Sequence, residues 1–312
     1  MKEHKGAHDF KSDHHTVVTI GTFDGVHVGH QKIIERLVNA AKANNLESAI
    51  LTFFPHPRMV LQKDSDIKLI NTIEERKEIL RASGVDHLII HPFTQQFSRL
   101  SAEEFVREIL VNKLKAKRVI IGYDHRFGRN RTADINDLRE FGHTYGFEVE
   151  EISQQEIEAV TVSSTKIRKA LLEGRVERAN RFLSYPFSLE GKIVKGRGLG
   201  RDFGFPTANL EVAETYKLIP KNGVYVVRTE IEGFPFFGMT SIGTNPTVGG
   251  TEKTIETYFF DFEGDLYGKH LKIEMLTRIR DEKKFDSIDA LKIALKQDWA
   301  FSMQYIKDNH AE

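Results

Sequence analysis

The sequence has 312 residues, of which 45 are basic and 45 acidic, so its formal net charge at pH 7 is zero. This length predicts two domains, and a hydrophobic fraction of 40% excludes global disorder. The sequence contains no cysteine, which excludes disulfides, thiolate metal sites and a cysteine nucleophile. The balanced charge gives no overall field for nucleic acid or an anionic membrane, so we expect neither as a partner.

The amino-terminal segment MKEHKGAHDFKSDHH is polar and lacks the apolar core of a signal peptide. No apolar run approaches the ~20 residues of a membrane helix, and the lack of cysteine fits a reducing compartment, so we expect a cytoplasmic protein. The segment carries four irregularly spaced histidines, which suit no obvious metal site and predict a mobile tail. These are His4, His8, His14 and His15.

In chain order, the first half alternates strand-like and helix-like segments. Strands are predicted at VVTIG, SAILTFF, VDHLIIHPF, KRVIIGYD and FEVEEI. Helices are predicted at HQKIIERLVNAAKANN, TIEERKEILRASG, SAEEFVREILVNKL and NDLREFGHTYG, the second and third with capping boxes at Thr72 and Ser101. The alternation predicts an α/β, Rossmann-like domain with a parallel sheet and helices on both faces. Ligands of such sheets bind at the carboxyl ends of the strands, where segments 21–30, 52–57, 122–128 and 163–168 lie.

The second half is rich in glycine and contains short strand-like segments, GVYVVRTEI, FPFFGMTSIG, TIETYFFDF and KHLKIEMLTRIR. Their spacing predicts a small antiparallel β-barrel. The last segment predicts an amphipathic helix that covers the barrel or its interface. The residues expected to cover it are Leu291, Ala294, Leu295, Ala300 and Met303. We place the boundary near Leu183–Pro186, which gives domains 1–185 and 186–312.

The first motif, GTFDGVHVGH, spans Gly21–His30 and follows a predicted strand. The helix predicted to begin near Gly29 presents free N–H groups and a positive dipole end, which favour a phosphate. His27 and His30 lie within one turn and can donate hydrogen bonds to the same anion. The arrangement suits in-line attack on an α-phosphate, which needs no protein nucleophile. A plain turn with two exposed histidines, or a metal pair, is the alternative.

The second motif, VSSTKIR, spans Val162–Arg168, and its hydroxyl residues can cap a helix that presents N–H groups to a polyphosphate. Alone it is only a helix cap. Together the two motifs resemble the H-x-G-H and S-S-T-x-I-R signatures of the nucleotidylyltransferase superfamily, in the form typical of bacterial FAD synthetases. The resemblance implies catalytic roles for His27 and His30. It implies ATP contacts from Gly21, Phe23, Asp24, Gly29, His30, Ser163, Ser164, Thr165 and Arg168.

Two further segments resemble the flavin side of that family's first domain. TFFPHP implies flavin contacts from His56 and Pro57 and is otherwise a rigid turn. GYDHRFG is similar to a segment that usually has the pattern G-x-D-F-x-F-G, which implies that Asp124 is a nucleotide or flavin contact; the alternative is a strand-end cap. His125 stands where phenylalanine is common, and Phe54 stands where the family often has a polar residue.

The glycine-rich motif, GRGLGRDFGFPTAN, spans Gly196–Asn209. Its backbone N–H groups and the charges of Arg197 and Arg201 can line a phosphate. Thr207 and Asn209 are oxygen donors two residues apart on an extended segment, so both can reach one Mg²⁺. For the glycines alone, a hairpin on a barrel is the alternative.

This motif resembles the G-R-x-x-G-F-P-T-A-N signature of riboflavin kinases, and GVY and TNPTVGG match that family as well. The resemblance implies ATP contacts from Gly198, Gly200, Arg201 and Thr207, and Mg²⁺ ligands in Thr207 and Asn209. It makes Glu256 the base that accepts the proton of the ribityl 5′-hydroxyl and a flavin contact, with Asn245 as a second flavin contact. Without the motif, Glu256 is an exposed strand residue.

Both signatures in one chain imply the bacterial bifunctional riboflavin kinase/FMN adenylyltransferase family. We expect riboflavin to be phosphorylated with ATP and the resulting FMN to be adenylylated with a second ATP, with Mg²⁺ in both steps. The expected partners are small molecules, namely ATP, riboflavin and FMN, and the expected state is a monomer or weak homo-oligomer. The alternatives are an enzyme with one working half, or a flavin sensor without activity.

Overall fold

A computed structural model describes residues 1–62, 66–123, 125–153, 162–196, 204–247 and 250–310, with the side chains of 245–247 and 250–252 not included. The chain divides into two compact units, Met1–Ser164 and Thr165–Glu312, each with its own sheet. The functional domain limits 1–185 and 186–312 stay a prediction.

The first unit contains a parallel sheet of six strands in the order β1-β4-β3-β2-β5-β6, which confirms the predicted fold class. The strands are β1 (Lys2–His4), β2 (Thr16–Ile20), β3 (Glu47–Phe54), β4 (His87–Pro92), β5 (Ala116–Gly122) and β6 (Glu148–Ile152). Strand β2 lies between β3 and β5, so the strand order reverses there. The carboxyl end of β2, where the first motif begins, is therefore the switch point at which such sheets bind ligands.

The helices of the first unit follow the predicted pattern. They are α1 (Val28–Ala43), α2 (Pro57–Leu61), α3 (Ile73–Ala82), α4 (Ala102–Glu104) and α5 (Ile135–Tyr145). Both predicted capping boxes are confirmed, because Thr72 and Ser101 each accept from the backbone N–H three residues on and the glutamates there bond back. The third predicted helix differs, since α4 continues as a π-helix over Phe105–Lys113.

The core of the first unit lies on both faces of the sheet, as strand alternation requires. Val17 and Ile50 face a cluster that includes Ile34 and Leu37 of α1. The intervening positions, such as Val18, face a second cluster that includes the π-helical segment. Both faces are covered, so the site at the strand ends rests on a fixed scaffold.

The prediction of a mobile amino-terminal tail is wrong. Residues Lys2–His4 form β1 and pair in parallel with β4. Phe10 is buried, and the His4 and His87 rings meet through Nε2 and Nδ1 at 3.0 Å. Nε2 of His87 lies 2.8 Å from Oε2 of Glu47, so each buried imidazole finds a partner. These long-range contacts, not the local polarity, decide where the segment lies.

The second unit contains the predicted antiparallel β-barrel, which is closed in the order β10-β11-β8-β7-β12-β9. Its strands are β7 (Ser188–Val194), β8 (Ala208–Glu211), β9 (Gly223–Ile231), β10 (Phe234–Thr247), β11 (Gly250–Phe259) and β12 (His270–Asp281). Its helices are α6 (Ser164–Leu172), which begins at the last residue of the first unit, α7 (Val176–Leu183) and α8 (Ile288–His310). Across the part of the chain that the structure describes, no helix is long and apolar enough to cross a membrane.

Helix α8 packs on the barrel differently from the prediction. Ala300 and Met303, expected to cover the barrel, are exposed, whereas Asp298 and Ser302 are buried. Nε of Arg280 on β12 donates to Oδ1 of Asp298 at 2.9 Å, and its Nη2 donates to Oδ2 at 2.7 Å. An ion pair between half-buried Arg280 and buried Asp298 therefore attaches the helix, and a search for apolar periodicity cannot find such a contact.

We expect the substitution D298A to destabilise the second unit by about 1.5–3 kcal/mol, because Arg280 loses a charged hydrogen-bond partner. Urea unfolding followed by the fluorescence of Trp299, the single tryptophan, measures this change. The control is D308A, which removes an exposed carboxylate on the same helix. An equal effect of both substitutions would contradict the role of the ion pair.

Candidate active sites

The loop between β2 and α1 is tightly turned. Backbone φ angles are positive at Phe23 (48°), Gly25 (87°) and Val26 (32°), and the Val26 N–H donates to the Phe23 carbonyl at 3.1 Å. A Cβ at position 21 would lie 3.1 Å from the Phe23 ring, so glycine leaves room for that buried ring. The sequence predicted such close turning at these glycines.

The two histidines of the first motif are stacked at the start of α1. His27 is the N-cap residue, and its Nδ1 accepts from the His30 N–H at 3.3 Å. The two rings are 3.7 Å apart and inclined by 14°, and the Phe23 ring packs against His30 at 5.1 Å. Because Nδ1 of neutral His27 is an acceptor, its ring proton is on Nε2. His27 therefore presents an Nε2–H donor at a helix end that favours anions.

Both imidazoles are neutral at pH 7. Burial lowers the pKa of His27 to about 4, against the opposing effect of the Asp24 carboxylate. Burial, and then the nearby His27 and Arg76, hold the pKa of His30 well below its usual value. Two stacked imidazolium rings would also repel each other. The neutral pair can thus supply hydrogen bonds to a phosphate. The sequence left open whether the histidines are protonated, and at pH 7 they contribute no positive charge.

Asp24 is fully buried and its carboxylate is engaged within the protein. It accepts from the N–H groups of Ile70, at 3.0 and 3.2 Å, and Asn71, at 3.2 Å. Its backbone carbonyl accepts from the hydroxyl of Ser164 at 2.9 Å. Asp24 therefore joins the first motif to the start of the second, and its predicted contact with ATP stays a prediction.

The second motif begins α6 as its hydroxyl residues predicted. Ser163 is half-buried and precedes the helix, while Ser164 bonds to the first motif. Thr165 is exposed and Arg168 is half-buried, and both belong to the second unit. The polyphosphate contacts assigned to these four residues stay predictions.

The predicted flavin-side segment lies beside the first motif. The hydroxyl of Thr52 donates to the carbonyl of Thr22 at 3.2 Å, which places the end of β3 against the loop. His56 is buried and is the N-cap of α2, where its Nδ1 accepts from the Arg58 N–H at 3.2 Å, and Pro57 is the first residue of that helix. The His125 ring lies 6.1 Å from the Phe127 ring, while Asp124 is outside the described residues.

Three predicted residues meet in the barrel of the second unit. The hydroxyl of Thr207 donates to Oε2 of Glu256 at 3.3 Å, and Asn209 is the register partner of Glu256 on the adjacent strand. A Cβ at Gly196 would lie 2.1 Å from the Asn209 amide nitrogen, so the amide lies directly over that glycine. Gly198, Gly200 and Arg201, which were predicted to contact ATP, and the side chain of Asn245 are outside what the structure describes.

A cavity of about 480 Å³ adjoins Thr207 in the same barrel. Aromatic and aliphatic side chains line it together with one carboxylate, and they are Phe259, Phe262, Leu266, Tyr267 and Asp265. Such a lining suits a flat ring with a polar edge. No ligand was predicted for these residues from the sequence, although the clustered aromatic residues of YFFDFEGDLYG could have indicated an apolar binding site.

The donors in the barrel fit a magnesium ion. Mg²⁺ prefers oxygen ligands, and Thr207 and Asn209 supply a hydroxyl and an amide oxygen. Within the described ranges, no group of three His, Cys, Asp or Glu side chains could hold a metal. A magnesium site here would therefore rely on hydroxyl and amide oxygens and on substrate phosphates.

Comparisons with known proteins match each half of the chain to a known family. A family model described as FAD synthetase matches residues 9–166, and one described as riboflavin kinase matches residues 183–306. The chain belongs to the bifunctional riboflavin kinase/FMN adenylyltransferase family. A relative so named from Buchnera aphidicola is 36% identical over 98% of this chain and 99% of its own. A second member of the family, from Listeria monocytogenes, is 38% identical over 92% of this chain and 91% of its own.

A solved structure shares the fold along the whole chain. It is a crystal structure named as a macrolide-efflux protein from Streptococcus pneumoniae, with a TM-score of 0.88 and 34% identity over 99% of both chains. Its name refers to a different activity, whereas the two family models and the curated relatives agree with each other. The family assignment follows from that agreement.

We expect acid to destabilise the first unit through its buried histidines. The unfolded chain binds a proton at His27 near pH 6.5, but the folded state does so only near pH 4. Stability from the neutral ring is thus fully present above pH 6.5 and is lost as the pH falls through about 4. Between pH 7 and 5, H27Q should lose about 2 kcal/mol less than the unmodified chain in urea unfolding followed by far-UV circular dichroism.

The control for that experiment is H143Q, which removes an exposed histidine of the same unit. It should keep the pH dependence of the unmodified chain. If H27Q and H143Q show the same pH dependence, the neutral state of His27 is not supported.

We expect G196A to impair the second site alone. The new Cβ would displace the Asn209 amide, and a misplacement of about 1 Å can cost up to about 100-fold in rate. The measurement is kcat/KM for ATP with riboflavin as acceptor, with FAD formation from FMN as the internal control. Unchanged use of ATP by G196A would show that the position of Asn209 is irrelevant.

Proposed function

We propose that the second unit phosphorylates riboflavin with ATP and that the first unit adenylylates the resulting FMN with another ATP. The observation that carries the proposal is the presence, in one member of this family, of two differently built sites. One is a stacked pair of neutral imidazoles at a helix start, and the other is a carboxylate bonded to a hydroxyl in a barrel. The first suits stabilisation of a phosphate and the second suits activation of an alcohol.

In the kinase step, the carboxylate of Glu256 accepts the proton of the riboflavin 5′-hydroxyl. The hydroxyl oxygen bonds to the γ-phosphorus while the bond to the β–γ bridging oxygen breaks, which yields FMN and ADP. The hydrogen bond from Thr207 orients the carboxylate. Backbone N–H groups of the glycine-rich motif, with Arg201, Gly198 and Gly200, are assigned to ATP.

We assign Mg²⁺ to Thr207 and Asn209, because Thr207 is hydrogen-bonded to Glu256 and Asn209 is the register partner of Glu256 on the adjacent strand. When bound, the ion neutralises phosphate charge. Asn245 is assigned to the flavin on the family pattern. The cavity beside Thr207 offers space for a ring of one substrate.

In the adenylylation step, a phosphate oxygen of FMN bonds to the α-phosphorus of ATP, and the bond to the α–β bridging oxygen breaks to release pyrophosphate. No proton has to leave the attacking phosphate and no protein nucleophile is needed. His27 and His30 donate hydrogen bonds to the phosphates, and Gly21 and Gly29 permit close backbone approach. Ser163, Ser164, Thr165 and Arg168 are assigned to the polyphosphate, and His56, Pro57 and Asp124 to FMN.

Both steps consume ATP, so we place the enzyme in the cytoplasm, with small molecules as its partners. We propose that it acts as a monomer or weak homo-oligomer, because each set of assigned residues lies on one chain.

The two activities should be separable by substitution. H30A should lower FAD formation from FMN at least about 100-fold, since it removes a donor to the phosphates, and leave FMN formation intact. E256A should lower FMN formation by about 10²–10⁴-fold, because no base remains, and leave FAD formation from FMN intact. Chromatography of the flavin products with Mg²⁺ and ATP measures both rates.

Matched controls are H143A and E263A, which remove exposed side chains of the same types from the same units. Both controls should retain both activities. Equal loss of the two activities in H30A or in E256A would refute independent sites.

A further inference from the structure

Arg76 is a buried cation that local structure does not explain. Its side chain is 1% exposed, and arginine is rarely buried to that degree unless it is paired. It is the fourth residue of α3, close to the amino-terminal end, where the helix dipole disfavours positive charge. Because this position is unfavourable for a cation, we infer that a contact with another part of the fold requires the arginine.

The contacts of Arg76 lead to the first motif. Its Nη2 lies 3.9 Å from Oδ1 of Asp24, which is fully buried. Its Nη1 donates to the hydroxyl of Thr52 at 3.5 Å, and that hydroxyl donates to the carbonyl of Thr22 at 3.2 Å. The guanidinium thus reaches both Thr22 and Asp24, which flank Phe23, the residue packed against His30.

We propose that Arg76 is a positioning residue for adenylyl transfer, which fixes the loop of the first motif and thereby the two imidazoles. This assignment rests on the proposed function of the first unit. The guanidinium of Arg76 compensates the charge of the buried Asp24 carboxylate. The same carboxylate accepts hydrogen bonds from the backbone of Ile70 and Asn71, just before α3. Loss of the guanidinium would leave a buried charge uncompensated beneath the site.

The charge of Arg76 also acts on the histidines. The charged and titratable groups that act on the pair are Asp24 in the loop, Arg76 on α3, and the two histidines on each other. The guanidinium lowers the pKa of His30, in addition to the larger effect of burial. Removing the cation would therefore raise that pKa and allow His30 to protonate at higher pH.

The test compares R76K, R76M and R81M in the full chain, with riboflavin phosphorylation as the internal measure of intact protein. Arg81 is an exposed arginine on the same helix, which makes R81M the matched control. R76M should lower kcat for FAD formation from FMN about 100-fold and move the acidic limb of its pH profile to higher pH. R76K should keep the acidic limb in place, and R81M should match the unmodified chain.

The double variant D24N/R76M removes both buried charges, so it serves if R76M does not fold. It should form FMN normally and form FAD slowly. If the unmodified chain makes no FAD, the proposed function fails. If it makes FAD, and R76M or the folded double variant makes it at the same rate with the same pH profile, the assignment of Arg76 alone is overturned.

Discussion

The site of the first unit depends on the buried carboxylate of Asp24. A carboxylate can be held inside a protein only if donors and a countercharge surround it, and here two backbone N–H groups and Arg76 do so. These partners bring α3 and its preceding loop to the end of β2. The carbonyl of the same residue receives the Ser164 hydroxyl, so one residue relates two motifs that are 140 positions apart. The stacked histidines lie in the same loop and helix start as Asp24, and burial keeps both imidazoles neutral.

The second unit solves a different chemical problem with different means. Its acceptor is an alcohol, which must lose a proton, whereas the phosphate acceptor of the first unit carries none that must leave. We assign that role to the carboxylate of Glu256, which accepts a hydrogen bond from Thr207 and is in register with Asn209 in the closed barrel. The ion pair of Arg280 and Asp298 attaches α8 to the same barrel.

Much of the fold could be predicted because local sequence patterns indicate its strands and helices. Period-2 and period-3.6 segments gave the strands and helices, and the Thr72 and Ser101 capping boxes marked two helix starts. Motif residues that are close in sequence, such as His27 and His30, could be predicted to lie together, and their rings are stacked in the structure. The pairing of Arg76 with Asp24 could not be found, since each is an ordinary charged residue until the fold brings them together. The amino-terminal strand β1 could not be predicted for the same reason, because its partner residues on β4 are distant in sequence.

The physical differences between the sites make one claim central, that each unit uses its own ATP at a different phosphorus atom. Supplying riboflavin with ATP labelled at either the γ- or the α-phosphorus, and separating the flavin products, tests this claim directly. The account predicts that γ-label enters both FMN and FAD, whereas α-label enters FAD only. An α-label in FMN, or FAD without γ-label, would contradict it.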